Sequence, residues 1–134
     1  MSDNRREALE ALRDVIRDGV KYETMGHTRM CQKAFPKPDD FDGSREAYAN
    51  SAAQQAVLVW RNGDINAAKA LHDAVLPGWR YSITHGPSGD AAVVAKRLGE
   101  QVDTLGVATD NPARAWLIAI LSALISETPK GETP

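Results

Sequence analysis

The sequence predicts an α+β fold, a small antiparallel sheet of two or three strands packed with about four helices, in the order α-α-α-β-β-(β)-α. Three observations carry that expectation. Apolar residues recur at three- and four-residue steps in several segments before Leu76, the signature of helices with one buried stripe. Residues 79–85, "WRYSITH", alternate every second position, as a strand with one covered face does. The late run "AWLIAILSALI", residues 115–125, is apolar nearly all round and reads as a central core helix.

A chain of 134 residues fits one domain, expected over residues 1–127, followed by a disordered tail, 128–134. That tail, "TPKGETP", has two prolines, a glycine and no large apolar side chain. With 43% hydrophobic and 25% charged residues, the composition is that of a folded globular domain. Sixteen Lys plus Arg against eighteen Asp plus Glu leave a formal charge of -2, so no global field draws in a polyanion and nucleic acid is not an expected partner.

The single cysteine, Cys31, excludes an internal disulfide and any zinc site built from two thiolates of one chain, which fits a reducing, cytoplasmic setting. "MSDNRREALEALRDVIRDG" is charged throughout and lacks the continuous apolar core of a secretory signal. Residues 115–125 are about half of the roughly 20 needed to cross a bilayer as a helix, so no membrane association is expected.

In chain order, Ala8, Leu9, Leu12, Val15 and Ile16 mark a first helix from Asn4 to about Gly19. Residues 20–43 predict a short helix over "MGHTRMCQKAF" and then a loop, because "PKPDDFDG" cannot continue a helix. Ser44 can cap the next helix, "REAYANSAAQQAVLVWRN", which ends where Gly63 supplies a left-handed residue. Asp64 caps "INAAKALHDAVL", with Ile65, Ala68, Leu71, Val75 and Leu76 at helical spacing, and Pro77-Gly78 stops it.

The strand 79–85 then places Trp79, Tyr81, Ile83 and His85 on one face. "GPSGD" predicts a five-residue turn, and "AAVVAKR" returns as a second strand or, alternatively, opens a helix through Leu98. "VDTLGVAT", residues 102–109, offers a third strand. Asn111 as cap and Pro112 at the first helical position open the last helix.

"INAAKALHDAVLPGWRYSI", followed after a variable region by "NPARAWLIAILSALI", resembles small proteins of tailed phages and prophages of the phage ABA sandwich type, over about residues 64–127. Its most particular elements are Leu71, Pro77, Gly78, Trp79 and Pro112 to Leu124, which are packing and turn residues. The resemblance therefore implies a fold and an origin, and brings no catalytic residues. The long "AAVVAKRLGEQVDTLG" departs from a compact hairpin and leaves the sheet edge open.

Little in the chain points to chemistry. His27 and Cys31 stand four apart, a spacing used by metal pairs, but two ligands are too few without His72, His85 or a distant carboxylate, so no metal is expected. His72 beside Asp73, or His85, could serve as a general base, yet no nucleophile accompanies them. Ser82, Ser88 and Ser122 stand in no nucleophile-elbow pattern, "GPSGD" is no phosphate loop, and no catalytic residue or cofactor is expected.

Trp60, Trp79 and Trp116 fall on predicted core faces. Trp79, Arg80 and Tyr81, an aromatic pair around a guanidinium at a strand start, form the candidate binding surface, with His85 and Arg97 nearby. Arg29 and Lys33, with Lys37 and Lys96, would join it as a basic patch if the hairpin folded over residues 24–38.

The first functional expectation is a phage or prophage accessory protein that binds a host protein, defensive or regulatory, without catalysis and as a homo-oligomer, because the alanine-rich and all-apolar helices offer faces one small domain does not fully cover. The alternative is a protein that sequesters a nucleotide-like ligand between subunits. An enzyme of unknown type ranks third.

Overall fold

The computed structural model describes residues 2–18, 24–36, 44, 47, 51–86, 89–95, 103–108 and 111–127. Helix α1 (Ser2–Asp18) buries Leu9, Leu12 and Ile16 along one stripe. Its other face carries short ion pairs such as Arg6–Glu10 and Arg17–Asp14, worth a few tenths of a kcal/mol each at such exposure. Helix α2 (Thr24–Ala34) buries His27, Cys31 and Ala34 at three- and four-residue steps.

Helix α3 (Ala52–Asn62) starts where Ser51 Oγ accepts the Gln54 N–H at 3.2 Å and ends at Gly63, with φ 64°, whose N–H donates to the Val59 carbonyl at 2.8 Å. Helix α4 (Ile65–Val75) begins one residue later, Asp64 Oδ1 accepting the N–H groups of Asn66 and Ala67 at 2.9 and 3.1 Å. Its buried stripe is Ala67, Ala68, Leu71 and His72.

Pro77 and Gly78, the latter at φ 84°, then turn the chain, and the Trp79 N–H donates to the Leu76 carbonyl at 3.0 Å. Strand β1 (Arg80–Gly86) pairs antiparallel with β2 (Gly89–Ala95), and β2 with β3 (Asp103–Ala108), in register Tyr81↔Val94 and Val94↔Thr104. Helix α5 (Pro112–Glu127) closes the described chain. Asn111 Oδ1 accepts the Arg114 N–H at 3.0 Å, as an N-cap should.

The α+β expectation, with about four helices around a small sheet, needs correction. The molecule is mostly helical: five helices of 17, 11, 11, 11 and 16 residues stand against three strands of 7, 7 and 6, in the order α-α-α-α-β-β-β-α among the described residues. The described core residues all lie on helices or immediately beside a helix end, from Leu9 to Ile125. The short helix expected within residues 20–43 forms over Thr24–Ala34, held by burial of His27, Cys31 and Ala34 although Gly26, Thr24 and Thr28 are weak helix formers, and it brings the helices to five among the described residues.

Two boundaries also shift. Helix α3 takes Ser51 as its cap, while Ser44 Oγ accepts the Ala47 N–H at 3.0 Å as a separate local cap. The β1–β2 pairing runs on to Gly86↔Gly89, which shortens the expected five-residue connection. β2 makes residues 91–95 strand; residues 96–98 and the tail 128–134 lie outside the described residues.

Every element except α2 packs against α5. Three arginines finish the framework by closing helix C-termini of neighbouring elements. Arg6 Nη1 donates to the Ile125 carbonyl at 2.8 Å, Arg5 Nε to Ala34 at 3.3 Å, and Arg114 to Trp60 and Arg61 at 2.9 and 3.4 Å. Each places a cation at the negative end of a helix dipole and satisfies a carbonyl that the helix leaves without a partner.

Among the described residues no helix is long and apolar enough to cross a membrane. Gly63 has no room for a side chain, because a Cβ there would run into the Asn111 side chain, whose Nδ2 donates to the Gly63 carbonyl at 3.4 Å. Gly63→Ala should lose about 1–3 kcal/mol in urea denaturation, from left-handed strain and the displaced Asn111. An unchanged midpoint would show that neither constraint matters.

Candidate functional site

His72 is the most deeply buried polar side chain among the described residues. It is 1% exposed, and the Trp116 Nε1–H donates to its Nδ1 at 3.2 Å. An indole nitrogen can only donate, so Nδ1 must be the unprotonated nitrogen and Nε2 must carry the proton. Nε2 lies 3.0 Å from the Trp79 carbonyl and donates to it. The imidazole is therefore neutral, in one tautomer, with both nitrogens committed.

That geometry removes His72 as a general base. Its neighbour Asp73 is engaged elsewhere, at 2.6 Å from Lys69 Nζ, and this hydrogen bond holds the Lys69 ammonium above its ordinary pKa. The His72 ring packs edge-on against Tyr81 at 5.1 Å and tilted against Trp116 at 5.6 Å, while Tyr81 and Trp116 lie 4.5 Å apart. One histidine thus joins α4, the start of β1 and α5.

The His27–Cys31 pair is packing as well. The His27 ring meets Trp60 edge-on at 4.2 Å, and Cys31 is fully buried. Burial pushes the Cys31 thiol from its ordinary 9.0 up to about 12, so it carries no nucleophilic thiolate at neutral pH. Among the described residues, no three His, Cys, Asp or Glu are placed to hold a metal ion. Ser122 Oγ donates to the Ile118 carbonyl at 2.9 Å within its own helix, and Ser82 lies exposed on β1.

The binding candidates divide into two places. Trp79 is half-buried at the turn, and Arg80 and Tyr81 are exposed beside it. Arg29 and Lys33 are exposed on α2, which packs on α1 and α3, whereas β1 packs on β2 and α5. The expected patch uniting these cations is thus not assembled by the described residues. The His85 side chain and residues Lys37, Lys96, Arg97 and Ser88 lie outside them.

Ile65 and Lys69, not singled out for binding by pattern, join the first group. Ile65, 42% exposed, and Tyr81, 43% exposed, are the large apolar side chains open to solvent among the described residues. Lys69 stands between them, one helical turn from Ile65 and with its Nζ 6.0 Å from the centre of the Tyr81 ring. The i, i+4 spacing of Ile65 and Lys69 was visible in the sequence, but Ile65 had been assigned to the buried stripe. The Asp64 cap instead starts the helix with Ile65 outward.

The Cys31 environment sets a pH dependence of known sign. The native state keeps the thiol proton up to about 12, whereas the unfolded chain releases it near 9.0, so the stability it contributes is present below pH 9 and is lost as pH rises from there. Urea midpoints should therefore fall further between pH 8 and pH 10 for the natural chain than for Cys31→Ala. Equal slopes would show that the thiol titrates alike in both states. Comparison of the chain with protein-family models, with curated proteins and with solved structures finds no match.

Proposed function

We propose that this chain is a non-catalytic binding protein that docks on a partner protein through a strip made of Ile65 and Lys69 of α4 and Arg80 and Tyr81 of β1. One observation carries the reading: the two exposed large apolar side chains flank the same lysine. Tyr81 is also held in place before binding, its ring resting on Trp116 and His72, so little side-chain entropy is lost when a partner covers it. Rigid tyrosines beside a cation are the composition of interface hot spots.

Catalysis is disfavoured by the same side chains that would have to supply it. His72 has both nitrogens bonded, His27 packs on Trp60, and the Cys31 thiol stays protonated. The phage-type resemblance of residues 64–127 supports a phage or prophage accessory role, with a bacterial host protein of defence or regulation as partner, acting in the host cytoplasm as a homo-oligomer.

The double variant Ile65→Asp, Lys69→Glu tests the strip, since both side chains are exposed and their loss should leave stability within about 0.5 kcal/mol. Partner capture from host lysate should drop about 30-fold or more, the effect of losing one hot spot. Undiminished capture would overturn the surface. Thermal shifts against a nucleotide panel complete the test: a rise with a nucleotide, abolished in the variant, would move the reading to a nucleotide-like ligand sequestered beside Arg80 and Tyr81.

A further inference from the structure

Strand β1 is an edge of the sheet, since the strand order is β1-β2-β3 and β1 pairs with β2 alone. That pairing runs unbroken, without a bulge, from Arg80↔Ala95 to Gly86↔Gly89. A two-residue connection joins Gly86 to Gly89, and the closing pair of such a hairpin exchanges hydrogen bonds. The antiparallel ladder alternates from there. Arg80, Ser82, Thr84 and Gly86 bond to β2, while the N–H and C=O groups of Tyr81, Ile83 and His85 point away from it.

Trp79 agrees with this phase and marks where the open edge begins. It belongs to the outward set, and both its backbone groups are taken by α4 and its C-cap. The N–H donates to the Leu76 carbonyl at 3.0 Å, and the C=O accepts from His72 Nε2 at 3.0 Å. From Tyr81 onward, no hydrogen bond from another described element reaches this side of the strand. Natural edges are blunted by lysine, proline or a bulge. The segment "RYSITHG" has none of these, and Arg80 stands at the end that α4 closes.

We propose that β1 pairs antiparallel with β1 of a second copy, about a two-fold axis at Ile83, so that two three-stranded sheets become one continuous sheet.

The register follows from the free groups. Outward residues must meet outward residues, so the axis passes through Ser82, Ile83 or Thr84. At Ser82 it would set His85 against Trp79, whose backbone is already engaged. At Thr84 it would set Tyr81 against Pro87, which has no N–H to give. At Ile83 it pairs Tyr81 with His85 and Ile83 with itself, and every free group finds a partner.

The side chains are compatible with that register. Tyr81 lies against Trp116 and Ile83 packs on the core, so Arg80, Ser82 and Thr84 occupy the opposite, exposed face. Ser82 then stands opposite Thr84 of the second copy, a hydroxyl pair that favours sheet formation. Arg80 stands opposite Gly86, the two arginines lie at opposite ends, and no like charges meet. The proposal goes beyond the docking reading: it gives the homo-oligomer a surface and does not depend on the strip.

Light scattering of the full chain tests it at pH 8, away from the isoelectric point near 5.9. The chain should be monomeric at about 1 µM and dimeric at about 0.3 mM, because one strand edge offers less than the roughly 1,200 Å² of a stable interface. Ser82→Lys, Thr84→Lys sets like charges opposite each other and should weaken dimerisation about tenfold or more. Ser82→Lys, Thr84→Glu should restore it, since only an axis at Ile83 brings the opposite charges together. Both positions are exposed, and an unchanged thermal midpoint in dilute solution would show that the variants fold.

Amide exchange reads the edge directly. The amides of Tyr81, Ile83 and His85 should exchange more slowly as protein concentration rises, whereas those of Ser82 and Thr84, bonded to β2, should be slow throughout. A natural chain still monomeric at about 1 mM would overturn the proposal. So would a dimer indifferent to the charge pattern, or one whose outward amides stay open. Ile65→Asp, Lys69→Glu should leave dimerisation intact, and a dimer lost in that variant would place the contact on the strip and remove the edge. An intact dimer whose partner capture ignores that variant would remove the docking reading and leave the β1 pairing standing.

Discussion

Helix α5 is the constraint from which the rest of the architecture follows. Ala113, Ala115 and Trp116 through Leu121, and then Ala123 to Ile125, are all buried, so the helix has no face it can leave to water. Each buried Leu or Ile side chain contributes about 1.5–3 kcal/mol only if something covers it. The fold answers by surrounding the helix: α1, α3 and α4 pack on it together with the three strands. Only α2 reaches the core at second hand, through α1 and α3.

Enclosing one helix so completely creates a polar problem at the ends of its neighbours. Carbonyls at helix C-termini are drawn into or beside the core, and an unsatisfied buried carbonyl is costly. Arg5, Arg6 and Arg114 resolve it, each reaching across from another element. Their long side chains keep the charge partly solvated while the guanidinium fork serves the carbonyls, which lysine does less well. Among the described residues no buried side-chain nitrogen or oxygen is left without a partner.

These contacts explain which parts of the molecule are legible in the sequence. Signals that act within a few residues can be read directly: Asp64 capping α4, Gly63 closing α3, Pro77-Gly78 ending α4, and Asn111-Pro112 opening α5. Those that need the folded chain cannot. Ser44 and Ser51 both stand before alanine-rich sequence and both accept a local backbone N–H, and burial of Ala53 and Ala56 goes with the helix that Ser51 caps. Arginine–carbonyl bonds spanning 29, 54 and 119 residues leave no local trace at all.

The candidate site shows the same division in sharper form. Trp79, Arg80 and Tyr81 stood out because aromatic and cationic side chains alternate at a strand start, and two of them are indeed exposed. His72 stood out for the wrong reason. Beside Asp73 it looked like the beginning of an acid–base pair, but on a helix adjacent residues point apart, and Asp73 turns outward to Lys69. What decides the role of a histidine is whether a nitrogen remains to take a proton from something else. Here a donor-only indole and a backbone carbonyl consume both, which makes the ring a fastening between three elements beneath the exposed Tyr81.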